Sequence, residues 1–64
     1  MFEIRADDVV LKANLETRPS QATVDRLAVS ADRRGWNGTS LELLRDGKHV
    51  CDLFPSEEAK AQYR

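Results

Sequence analysis

The dipeptide Asp46-Gly47, set between LELLR and KHVCDLF, constrains this chain more than any other feature. A two-residue hairpin turn of the I′ kind needs positive φ at both central positions, which Asp tolerates and Gly adopts freely. The spacing therefore predicts a hairpin with Arg45 opposite Lys48, Leu44 opposite His49, Leu43 opposite Val50, Glu42 opposite Cys51 and Leu41 opposite Asp52. By strict alternation one face carries Leu41, Leu43, Val50 and Phe54, and the other carries Glu42, Leu44, His49, Cys51 and Leu53. Pro55 cannot donate to a ladder and ends the strand. Ser56 then caps a short helix whose first turn holds Glu57 and Glu58, and Tyr63, one turn beyond Ala59, is expected to close it over Phe54.

Toward the N-terminus, Phe2, Ile4 and Ala6 alternate with Glu3 and Arg5, and Val9, Leu11, Ala13 and Leu15 continue the apolar side after Asp7-Asp8. Read as a hairpin, this places Ile4 opposite Leu11, Phe2 opposite Ala13, and Glu3 opposite Lys12 as a charge pair. Asp7-Asp8 is also a helix-cap signal, so a helix from Asp8 to about Arg18 competes with the second strand. Pro19-Ser20 opens a helix in which Val24, Leu27, Ala28 and Ala31 share one face, while Asp25, Arg26, Asp32 and Arg33 look outward. Arg33 and Arg34 suit its C-terminal carbonyls, Gly35 is the expected residue past its end, and Trp36 is expected to fold back as a core plug. The order is ββαββα: an α+β domain spanning residues 1–64, with a four-stranded antiparallel sheet and both helices on one face. Were the first hairpin a single element, the order would fall back to βαββα.

Composition narrows the functional classes. A formal net charge of −1 lacks the basic excess of a general nucleic-acid binder. One cysteine excludes an internal disulfide, and the absence of a CxxC or His/Cys cluster excludes a closed zinc site. No apolar run reaches the roughly 18 residues of a membrane span, the N-terminus is not that of a signal peptide, and a reducing cytoplasm is the expected location. No cofactor is implied. His49, Cys51 and Glu42 are the right residue types for a thiol site or three metal ligands. Neighbours two apart on a strand lie about 6–7 Å apart, however, too far for a direct nucleophile–base hydrogen bond. They read as packing and surface groups, and the chain as no enzyme.

With helices over Phe2, Ile4, Leu41, Leu43 and Val50, the residues Val10, Leu44, Cys51 and Leu53 are expected on the uncovered face, rimmed by Glu3, Lys12, Glu42 and His49. An apolar patch with a charged rim marks an interaction surface, for a protein partner or for a second copy of the chain. That face has no aromatic residue on which a base could stack, as an RNA-reading sheet requires. The alternative reading is a small nucleic-acid-binding or regulatory domain using Arg26, Arg33 and Arg34, at and before the end of the first helix.

The run RDGKHVCDLFPSEEAKAQY, about a third of the chain, resembles the hairpin-plus-helix units of small bacterial and phage proteins. In size and style the chain is similar to phage-encoded inhibitors such as anti-CRISPR proteins. That resemblance implies a partner that is a host nucleoprotein complex, with Asp7, Asp8, Asp46, Asp52, Glu57 and Glu58 standing in for phosphates.

Overall fold

A computed structural model describes residues 1–62. The elements are β1 (Phe2–Ala6), β2 (Val9–Leu15), α1 (Gln21–Arg33), β3 (Leu41–Arg45), β4 (Lys48–Leu53) and α2 (Glu57–Gln62). The four strands form one antiparallel sheet in the order β2-β1-β3-β4, with the helices on one side, as the pattern of apolar residues predicts. Residues Val9 to Leu15 are a strand and not a helix. The order reads the same from either end of the sheet, each ββα half giving one central and one edge strand. Tyr63 lies outside the described residues.

The core lies between the central strands and α1. Ile4, Leu41, Leu43 and Ala28 are fully buried, joined by Ala6, Val24, Ala31 and Trp36. Ser20 caps α1 by accepting a hydrogen bond from the Thr23 amide at 3.3 Å. At the other end Gly35, with φ 99°, lets its own amide reach the Asp32 carbonyl (2.9 Å) and the Trp36 amide reach the Ala31 carbonyl (3.1 Å). This paired closure of the last turn delivers the Trp36 indole into the core, the plug its position in the sequence foretells.

The hairpin register departs from simple alternation, with consequences for every residue beyond the slip. Asp46 (φ 51°) and Gly47 (φ 84°) make the expected turn, and Arg45 and Leu44 pair with Lys48 and His49 as predicted. Beyond them Leu43 pairs with Cys51, Glu42 with Asp52 and Leu41 with Leu53. One residue of β4 is bulged out, and a one-residue bulge moves the rest of a strand to the opposite face. Cys51 and Leu53 thus pack against the core, whereas Val50 and Phe54 stay 38% and 60% exposed. The turn sets the register from one end, while Leu53, buried Pro55 and Ser56 set it from the other; the bulge takes up the difference.

The first hairpin slips too. Ala6 pairs with Val9 around Asp7-Asp8, but Ile4 lies opposite Lys12 and Phe2 opposite Leu15. Two irregularities, with Asn14 at φ 60°, bring both Leu11 and Leu15 to the core and leave Ala13 exposed. Asn accepts this left-handed conformation at lower cost than most residues. The expected Glu3–Lys12 pair is therefore not made; Glu3 instead takes a 2.6 Å hydrogen bond from Arg5 Nε.

Candidate binding surface

Residues directly opposite in antiparallel strands share a face, so the register defines what the uncovered side presents. One row runs Val10, Arg5, Glu42, Asp52, and the next runs Glu3, Leu44, His49. Of the expected patch, the structure keeps Val10, Glu42, His49 and Leu44 on this side. Cys51 and Leu53 are corrected to the covered side, because the bulge in β4 inverts their direction. Leu44 is corrected in burial: flanked in its row by Glu3 and His49, it is only 7% exposed and forms the floor of the face, not a free apolar contact. Val10, at 49% exposed, is the apolar side chain that these two rows present to solvent.

The same slip dismantles the thiol cluster. Cys51 lies in the row of Leu43 and His49 in the row of Leu44, on opposite faces, and Glu42 faces Asp52 instead of Cys51. His49 Nε2 meets Asp52 Oδ1 at 3.0 Å. Among the described residues no group of three His, Cys, Asp or Glu side chains could hold a metal ion.

The acidic candidates are dispersed. Since β1 and β3 run antiparallel, Asp7-Asp8 and Asp46 sit at opposite ends of the sheet. Asp46 is bound by the Met1 amino group at 2.8 Å, and that cation's hydrogen bond and charge hold its carboxyl below the usual value. Asp52 is engaged by His49, and Glu57 by Lys60 at 3.3 Å. Among the described residues these carboxylates form no continuous line.

Arg26 and Arg33 line one groove of about 520 Å³ between α1 and α2, together with Ser30, Asp25 and Glu58. Arg34 is turned away from them, at the rim of a pocket of about 210 Å³ formed with Val9, Leu11 and Trp36. The three arginines thus do not act as one patch.

Asp25, expected to look outward, is corrected to a bridge between the helices. Its Oδ1 accepts from the Ser56 amide at 2.8 Å and from Gln21 Nε2 at 2.9 Å, and its Oδ2 accepts from the Ser56 hydroxyl at 2.7 Å. The Ser56 amide, then its hydroxyl, then Gln21 hold the Asp25 carboxyl below the ordinary Asp value. The Gln21–Asp25 spacing of one helical turn was visible in the sequence, but nothing local pointed to Ser56, thirty-one positions away.

No protein-family model, curated protein or solved structure matches this chain. No helix among the described residues is long and apolar enough to cross a membrane.

Proposed function

We propose that this chain is a non-enzymatic binding module that works by laying the uncovered face of its sheet on a partner protein. The observation that supports this reading is the one-sided placement of α1 and α2, which leaves two cross-strand rows presented to solvent. Their mixture of a buried apolar floor, one exposed valine and charged side chains is the composition of a contact surface, not of a reaction centre. A protein this small occupying a subunit contact on a larger complex would act as an inhibitor, in the manner of the phage-encoded inhibitors it resembles. Its lone thiol suits a reducing, cytoplasmic setting.

The test is capture of a partner by the tagged wild type and by Val10→Trp, which places a bulky ring on the exposed end of the face. Retention of a protein by the wild type and its loss from the variant, with unchanged melting temperature, supports the reading. Equal retention by both removes it.

A second reading is favoured by the shared groove of Arg26 and Arg33: a nucleic-acid contact along α1. Binding to arbitrary duplex DNA with a steep salt dependence, lost in Arg26→Gln/Arg33→Gln, would support it in place of the first.

A further inference from the structure

Within the uncovered face, Glu42 and Asp52 are direct cross-strand partners. Like charges so placed oppose sheet pairing, and a sequence retains such a local conflict where something outside the fold offsets it. Arg5, the neighbour of Glu42 on the other side, directs its Nε to Glu3 at 2.6 Å, and among the described residues Asp52 is met only by His49, at 3.0 Å. Glu42 has no ion-pair partner within 4.0 Å among the described residues. Three carboxylates therefore stand on this face against one guanidinium. The register places Lys12 and Lys48 of the edge strands in rows with Ile4 and Arg45, outside the two rows of this face.

We infer that the uncovered face docks a basic segment of a partner protein, with an arginine or lysine seated between Glu42 and Asp52 and an apolar neighbour against Val10. This rests on the docking reading above and adds the partner's chemistry to it. The carboxylates that attract a basic segment also repel phosphate, so nucleic acid is not the occupant of this side.

The test is amide-resolved NMR titration of the whole chain with an arginine- and lysine-rich peptide and with a glutamate-rich peptide of equal length. The basic peptide is expected to move the amides of Arg5, Glu42, Leu44 and Asp52, less so at high salt, and the acidic peptide to leave them in place. Glu42→Gln/Asp52→Asn is expected to weaken the basic peptide about tenfold while the spectrum keeps its dispersion. Should the double variant lose its dispersion, Glu42→Gln alone carries the same comparison. Shifts confined to α1 and α2, equal response to both peptides, or unchanged affinity in the variant would overturn the inference. Partner capture lost with Val10→Trp but kept by Glu42→Gln/Asp52→Asn would overturn it too, while leaving the docking reading in place.

Discussion

Asp25 holds Ser56 by both of its carboxylate oxygens, at 2.8 Å to the amide and 2.7 Å to the hydroxyl. Ser56 in turn accepts from the Ala59 amide at 3.2 Å, so one carboxylate on α1 organises the cap of α2. A six-residue helix is too short to persist alone in water. Its stability comes from this anchor and from buried Ala59.

Removing the anchor should loosen α2 selectively. Asp25→Ala leaves the Ser56 amide without its acceptor and is expected to cost about 1–2 kcal/mol in chemical denaturation at neutral pH. Hydrogen exchange should quicken at Ala59 and Lys60 before it does in β1 and β3.

Acid should act through the same residue. The Asp25 carboxyl titrates below its ordinary 3.8 when folded, so the folded state binds this proton less readily than the unfolded chain. Its contribution is complete at neutral pH, and it fades as pH falls to about 4 and below. Unfolding midpoints measured from pH 7 down to pH 2 should show a shallower acid limb for Asp25→Asn than for wild type.

Gly38 is fixed by contact and not by backbone conformation. A Cβ there would lie 2.5 Å from Trp36 Nε1 and 2.6 Å from Cε2. Gly38→Ala is expected to displace the indole and cost about 1–3 kcal/mol. Trp36 is the chain's one tryptophan, so its emission should shift to the red on this substitution and report the displacement directly.

Two residues of the uncovered face should respond differently to charge. Leu44→Asp buries a carboxylate at a site only 7% exposed and is expected to unfold the chain or cost more than about 3 kcal/mol. Val10→Asp, at a 49% exposed position in a neighbouring row, should change the melting midpoint little, within about 0.5 kcal/mol. Circular dichroism melts of the two variants settle the contrast.

The elements were legible in the sequence because their signals are local. Asp46-Gly47, Ser20, Gly35 and Ser56 each fix their own turn or cap, and Val24, Ala28 and Ala31 repeat at the helical period. The composition of the uncovered face was not, because it depends on register. A single bulged residue in β4 turns Cys51 and Leu53 to the covered side and leaves Val50 and Phe54 exposed, and no local pattern marks it. The same holds for Asn14, whose left-handed conformation resets β2 so that Leu11 and Leu15 both reach the core. Asp25 was misread because helical periodicity says only that a side chain leaves the main core, not that a second helix will come to meet it.

Placing β1 inside the sheet rather than at its margin carries an implication for biogenesis. β1 completes its hydrogen bonding only when β3, about forty residues later, reaches it. During synthesis β1, β2 and α1 would thus emerge while the inner strand is still bare on one flank. A chain cut between Arg34 and Ser40 would leave two ββα pieces with matching bare flanks, poised to find each other again in solution.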